Sequence, residues 1–356
     1  MKRTFLKRLV ACPLVVALFA AISGCDEREP VKQAPVPVVE EKAEDVLQRA
    51  MDKIALGELD EAYIAATNAL ARMPDSAEAR LVDGQVAYLK KNYGRAVADF
   101  NAVASEKSLP KSLRAEALVS RAVVEIAKNE FDTARMTLFR ALHLDRRNAA
   151  VWYHLGLLSR NTYRFDEVAV EQFEMAARLS DPKDPRTKKL SREIIPSVRS
   201  ALNAAAVERP GAAKRDAGLA AKLIAEAEAL RKKKSIRAAI KKYEAAFAAD
   251  PFSYPAAREL AYLTALNDKT SAGVDKALLA YRAAIDQRPA VQDNYYAAAQ
   301  LAYANKRWAT AVAILNRAIA HDPENIKTLD LFIAALQKAG KESQAAAWKA
   351  YRQELR

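Results

Sequence analysis

Residues 277–289 read ALLAYRAAIDQRP and residues 311–323 read AVAILNRAIAHDP. In both, an alanine opens the stretch, a second alanine follows seven positions later, and a proline closes it twelve positions after the first. Seven residues are two turns of helix, so the two small side chains share a face, and a proline stops the helix from continuing. Ala277 and Ala311 lie 34 residues apart, as do Ala311 and Ala345, and Ala62 and Ala96. Ala134 and Ala239 open further copies. The second alanine recurs as Ala69, Ala141, Ala246, Ala284 and Ala318, with Val103 the exception, and the proline as Pro74, Pro251, Pro289 and Pro323. A fixed period with helical spacing inside each copy predicts stacked helical hairpins.

Composition points the same way. The chain has 356 residues, 51% of them hydrophobic, and only 9 glycines, which predicts a folded, all-α protein rather than a barrel or sandwich.

The layout resembles the tetratricopeptide repeat (TPR), a 34-residue helix-turn-helix in which small residues let two antiparallel helices approach closely. The family's tryptophan, leucine and glycine match Trp152, Leu155 and Gly156 in a first helix, and the stretches Gly57 to Ala62 and Tyr281 to Pro289 match second helices. The resemblance implies an α-solenoid of about eight hairpins, placed at 43–76, 77–110, 115–148, 149–182, 220–253, 254–291, 292–325 and 326–356. The fourth repeat carries one extra residue, so that Ala169, Phe173 and Ala176 match only after a shift, and the sixth carries four around Asn267 to Gly273. Both insertions are expected near the inter-helix turn, where they cost least. Lys349 and Arg352 stand where core residues belong in the last repeat, as expected for a capping helix exposed on its outer side.

Between Lys183 and Gly218 the repeat is lost. Leu190, Ile194, Ile195, Val198 and Leu202 predict one more helix, kinked or started by Pro196, which Glu208 to Gly211 then breaks. Residues 183–218 are either a hinge between a 43–182 lobe and a 219–356 lobe, or a degenerate repeat inside one continuous superhelix.

Residues 1–24 have the layout of an export signal, with Lys2, Arg3, Lys7 and Arg8 ahead of an apolar run from Leu9 to Ile22. That run is too short for a permanent membrane span. Ile22, Ser23, Gly24 and Cys25 resemble the bacterial lipobox, which implies cleavage before Cys25 and a lipid on its thiol. Two acyl chains hold a soluble domain stably on a membrane. Cys12 falls in the removed segment, so Cys25 stands alone and builds neither a disulfide nor a metal site. Asp26 resembles a retention signal for the inner membrane that varies between bacteria, so the expected location is the cell envelope with the membrane left open. Residues 25–42, with Pro30, Pro35 and Pro37, read as an extended tether.

Candidates for chemistry are few. The three histidines are His143 and His321, expected on the surface near the ends of second helices, and His154, expected to be packed or to line a groove. No second histidine lies three or four residues from His154, no glycine-rich phosphate loop occurs, and no carboxylate pair stands out, so neither an enzyme, a metal site, a cofactor nor a small-molecule substrate is expected. Binding is the better expectation. Carried over by register, the family's groove positions hold Leu81, Gln85 and Tyr88, then Tyr153 and Leu157, then Arg258 and Tyr262, then Tyr296, Gln300 and Tyr303. Tyrosine offers large contact area with a hydrogen-bonding tip. The lysine and asparagine clamp by which chaperone-binding members hold a C-terminal carboxylate is absent: the fifth first-helix positions are Leu47, Leu81, Val119, Tyr153, Ile224, Arg258, Tyr296 and Asp330.

The formal net charge is +13, and loss of the four basic residues of the export segment leaves about +9. The densest run is Arg231, Lys232, Lys233 and Lys234, which reads as a solvated turn or as a docking surface for anionic headgroups or an acidic partner. Nucleic acid is not an expected partner. The sequence therefore predicts a membrane-anchored scaffold of the bacterial envelope that binds segments of other envelope proteins in a TPR groove. Its alternative is binding of cell-wall glycan or another anionic polymer through the basic turns and groove tyrosines.

Overall fold

The computed structural model describes residues 41–207 and 215–355; the export segment, Cys25, most of the tether and the expected breaker at 208–211 lie outside them. Every regular element among the described residues is helical, and the chain is a solenoid of TPR-like antiparallel hairpins. It divides into two compact bodies between Asn129 and Glu130.

The N-terminal body holds α1 (Ala43–Leu56), α2 (Leu59–Arg72), α3 (Ala77–Leu89), α4 (Tyr93–Ser105) and α5 (Lys111–Ala127). The C-terminal body holds α6 (Phe131–Leu144), α7 (Ala149–Leu158), α8 (Asp166–Leu179), α9 (Pro185–Lys189) and α10 (Ile195–Val207). It continues with α11 (Ala217–Lys232), α12 (Ile236–Ala249), α13 (Tyr254–Asn267), α14 (Ser271–Gln287), α15 (Gln292–Ala304), α16 (Trp308–His321), α17 (Ile326–Lys338) and α18 (Glu342–Glu354).

The register alanines do what their spacing requires. Ala62, Ala69, Ala96, Ala134, Ala141, Ala239, Ala246, Ala277, Ala284, Ala311 and Ala318 are completely buried, because small side chains fit best where the helices of a hairpin cross. Two glycines go further: a Cβ on Gly84 would lie 2.8 Å from the Phe100 ring, and one on Gly156 would lie 2.5 Å from the Phe173 ring. Side-chain caps start many of the helices, with Ser76, Asn92, Asn148, Asp216, Ser253, Thr270 and Asn325 each accepting from a first-turn N–H. Between the helices of a hairpin a residue adopts positive φ at matching places, as at Gly57, Lys91, Lys234, Lys306 and Gly340.

The insertions are absorbed as helix rather than as loop. The extra residue of the fourth repeat becomes a π-turn, Ser159–Tyr163, on the end of α7, followed by Arg164 at φ 58°. Three of the four extra residues of the sixth repeat lengthen the start of α14, which has 17 residues where α12 and α16 have 14. Residues 111–114, outside the expected third repeat, likewise extend α5.

The stretch after Lys183 forms the expected helix: α9, a second π-turn at Leu190–Ile194, and α10 run on without interruption, with Pro196 just after the π-turn, where the hydrogen-bond ladder is already shifted. Leu190, Ile195 and Val198 are buried with Ala169, Val170 and Phe173 of α8. The division into bodies falls between Asn129 and Glu130, and the buried side chains of residues 190–198 pack within the C-terminal body.

The C-terminal body closes on itself. Phe139 of α6 packs against Trp348 and Tyr351 of α18, with ring centroids 6.2 Å apart in both pairs, and Phe332 of α17 backs Trp348 at 5.3 Å. Arg135, fully buried, lies 4.1 Å from the Tyr163 ring centroid and 5.5 Å from that of Trp348, and donates to Asn316 at 2.6 Å. Gln172 of α8 donates to the Ala320 carbonyl at 3.2 Å and accepts from Ser159 of the π-turn at 2.7 Å. The α18 helix is therefore not an exposed cap: Ala345, Trp348 and Tyr351 are buried, while Lys349 is exposed and Arg352 pairs with Asp330 at 2.8 Å.

Candidate protein-binding faces

Within each body, successive first helices approach one another (α1 with α3, α3 with α5, α11 with α13, α15 with α17), so they form the inner face of their stack. The predicted groove residues fall on these helices, but they do not share one environment. On α13, Arg258 and Tyr262 are exposed, and Leu266, one turn beyond Tyr262, is exposed as well. Tyr262 and Leu266 keep 47% and 53% of their surface in solvent. Arg258 lies against Glu259, which also accepts from Arg231 at 2.7 Å. On α15, Gln300 is exposed, Tyr296 is half-buried, and Tyr303 is held edge-on against Trp308 at 5.0 Å.

Tyr153 and Leu157 are placed differently. Both pack on the cluster formed by Phe173, Leu190, Ile195 and Val198, with the Tyr153 ring 6.1 Å from Phe173. The helix after Lys183 covers them, which the repeat register alone could not show. Tyr88, in the N-terminal body, is half-buried beside Tyr93 at 6.1 Å.

Of the three histidines, only His321 departs from its expected surroundings. His321 retains only 3% of its side-chain surface, with Nδ1 3.0 Å from Glu171, and His143 Nδ1 lies 3.1 Å from Glu324, which also pairs with Arg146. His321 is thus covered within the C-terminal body, whereas His143 remains exposed near the end of α6, as its position in the repeat predicts. His154 has a buried Nδ1 with no hydrogen-bond partner, and burial pushes its pKa down to about 4, so the ring is neutral near pH 7.

The basic run ends α11 and forms the following turn. Arg231 is engaged by Glu259, while Lys232, Lys233 and Lys234 are exposed, the last at φ 58°. Among the described residues no helix is long and apolar enough to cross a membrane, and no group of three or more His, Cys, Asp or Glu side chains converges.

In the N-terminal body two pairs of acidic residues contrast. Asp83 and Asp99 are buried between α2, α3 and α4, where Arg95 donates to Asp83 at 2.8 Å and to the Tyr63 hydroxyl at 2.6 Å, and Arg80 lies 3.9 Å from Asp99. Asp99 Oδ2 has no hydrogen-bond partner, though Arg95 Nε lies 3.9 Å away, and burial together with the Asp83 charge raises its pKa to about 6. Glu78 of α3 and Glu116 of α5, second residues of their repeats, are half-buried. Burial and the charge of Glu78 raise Glu116 to about 7. Neither pair was singled out in the sequence, although Glu78 and Glu116 follow Ala77 and Ala115 at the same repeat position.

No protein-family model and no curated protein matches the chain. Solved repeat structures are similar to it. The complex of the TPR2AB domain of yeast Sti1 with pHSP90 is 18% identical, covering 76% of this chain and 98% of that one, with a TM-score of 0.30. YrrB, a TPR protein with an unusual peptide-binding site, is 18% identical over 65% and 96% of the two chains, with a TM-score of 0.24. A TPR protein from Parabacteroides merdae is 12% identical over 83% and 98%, with a TM-score of 0.34. At these identities the likeness concerns the fold alone.

Proposed function

We propose that this protein is a protein-interaction scaffold of the bacterial cell envelope, exported and anchored through lipid on Cys25, that holds an extended segment of a partner protein on the inner face of its C-terminal body. The observation that carries the binding reading is the exposure of Tyr262 and Leu266 one turn apart on α13, with Arg258 one turn before them. Solvent-exposed apolar groups grouped with a guanidinium cost solubility and gain when a partner covers them. Tyr296, Gln300 and Tyr303 stand on α15, the first helix of the next repeat. The anchoring reading rests on the basic head, the short apolar run and the Ile22-to-Cys25 sequence.

Photo-crosslinking from positions 262 and 296 in living cells tests the binding reading. Discrete protein adducts at both positions are the expected result. Adducts with glycan alone would transfer the function to polymer binding through Lys232, Lys233 and Lys234, and no adduct at either position would sink the proposal. For the anchor, Cys25→Ala is expected to abolish labelling by radioactive palmitate and retention in membranes; retention without label would point to an uncleaved apolar helix.

A further inference from the structure

We propose that the hairpin-turn end of the stack formed by α11 to α18 docks on an anionic lipid surface, with its lysines set among the headgroups. The inference stands on the turns between residues 231 and 342 and depends neither on lipid at Cys25 nor on a protein segment held by α13.

Each helix from α11 to α18 packs on the next, so the turn inside every hairpin falls at one end of the stack and every loop between repeats at the other. The two ends differ in charge. Lys232, Lys233 and Lys234 of the fifth repeat, Lys306 of the seventh, and Lys338 and Lys341 of the eighth are exposed at the turn end and form no ion pair among the described residues. Lys269 of the sixth is exposed as well, with its ammonium on the Ala265 carbonyl at 2.6 Å. Asp275 pairs with Arg307, Asp268 accepts from the Thr270 hydroxyl at 2.6 Å, and Glu342 stands beside Lys341, so the balance at this end stays basic. At the opposite end an acidic residue recurs in or beside every loop, at Asp250, Asp293, Asp322 and Glu324, interspersed with Arg288 and Lys327.

The spacing and chemistry of these turns suit a lipid surface. Packed helices lie about 8–10 Å apart, so successive turns stand roughly 20 Å apart and the four together span roughly 60 Å. A free phosphate or a small acidic patch would meet one turn, whereas a lipid surface can meet them together. Lysine carries a single charge on a flexible stem, which follows mobile headgroups where the guanidinium fork suits fixed pairing. Trp308, two residues past Lys306, is half-buried with its ring edge-on to Tyr303 at 5.0 Å, and tryptophan and tyrosine are the residues enriched where a membrane meets water. An acidic polypeptide would use the lysines and leave these rings uncovered. Lys234 and Lys306 take φ of 58° and 59°, where Gly340 sits at 73°, so two of the turns carry their charge in a backbone conformation that a Cβ disfavours. The attraction of each lysine for an anionic headgroup layer falls off within a screening length of about 10 Å at 0.1 M salt, so binding must weaken as salt rises.

The test is co-sedimentation of the mature chain carrying Cys25→Ala, so that no acyl chain takes part, with mixed phosphatidylglycerol–phosphatidylcholine vesicles and with pure phosphatidylcholine vesicles. The expected result is binding to the anionic vesicles only, lost when salt is raised well above about 0.1 M. Lys232→Gln/Lys233→Gln/Lys234→Gln is expected to weaken that binding at least about tenfold, and Arg288→Gln/Lys327→Gln at the other end to change it less than about twofold. Circular dichroism checks that both variants keep their helicity. A fluorophore at position 269 is expected to be quenched by headgroup-labelled lipid, and one at position 290, on the opposite end, to stay bright. Equal binding to both vesicles, binding to neither, binding unchanged in the triple variant, or equal quenching at the two positions would each overturn the proposal. Displacement of the chain from vesicles by polyglutamate at equal charge concentration would also overturn it and assign the edge to an acidic polypeptide.

Discussion

The guanidinium of Arg140 holds the carboxylate of Glu354 through two hydrogen bonds, from Nε at 2.7 Å and from Nη2 at 2.9 Å, although 214 residues separate them. This pair lies at the edge of the contact between α6 and α18, and the apolar side chains beneath it bear most of the stability. Both partners are partly exposed, so Glu354→Ala is expected to cost at most about 1 kcal/mol. Trp348 is buried among Phe139, Phe332 and Tyr351, and Trp348→Ala is expected to cost about 3–5 kcal/mol. Urea denaturation followed by circular dichroism measures both; equal losses would mean that the ion pair, not the aromatic cluster, closes the body.

Gly156 touches Phe173 through a space that no Cβ can share. Gly156→Ala is expected to destabilise the C-terminal body by about 1–3 kcal/mol, and a second change, Phe173→Leu, to recover part of the loss by relieving the clash. A simple sum of the two single effects in the double variant would contradict the assigned contact.

Lys306 occupies the left-handed region at φ 59°, where Gly340 sits at φ 73° in the next repeat. A Cβ makes that conformation unfavourable by about 1 kcal/mol, and an exposed lysine regains little of it. Lys306→Gly is therefore expected to raise the melting temperature and Gly340→Ala to lower it. No change in either variant would show that the turn shifts to another backbone conformation.

Acid should act on the two bodies in opposite directions. Asp99 and Glu116 have raised pKa values in the folded N-terminal body, about 6 and about 7, against ordinary values of 3.8 and 4.5. The folded state therefore binds more protons, and stability from these groups is present at low pH and is lost as the pH rises through 4 to 7. His154 has the opposite sign: its pKa is depressed to about 4, so stability of the C-terminal body is lost as the pH falls from 6.5 towards 4. Hydrogen exchange at pH 5 and pH 7, corrected for intrinsic rates, is expected to show slower opening of α3 to α5 at pH 5 and faster opening around α7. Asp99→Asn should flatten part of the first trend, and parallel behaviour of the two bodies would refute the assignment.

The repeat was legible in the sequence because the constraint behind it is local. Small side chains fit best where the helices of a hairpin cross, and proline ends the second helix, so Ala277, Ala284 and Pro289 display the hairpin to anyone who counts. The places where extra residues enter could be counted too, but their form could not: a single extra residue became the π-turn at Ser159–Tyr163, and three of four lengthened the helix that starts at Ser271. The order of exposure on the groove helices needed the fold. Tyr153 and Tyr262 were expected to line the same groove, yet one is covered by the helix after Lys183 and the other stands in solvent, because contacts between distant segments decide exposure. The closure of α6 and α8 on α16 and α18 lies wholly beyond periodicity. A 34-residue repeat states how each hairpin is built and packs on the next; that Phe139 meets Trp348, or that His321 meets Glu171, depends on the accumulated geometry of all the hairpins between them.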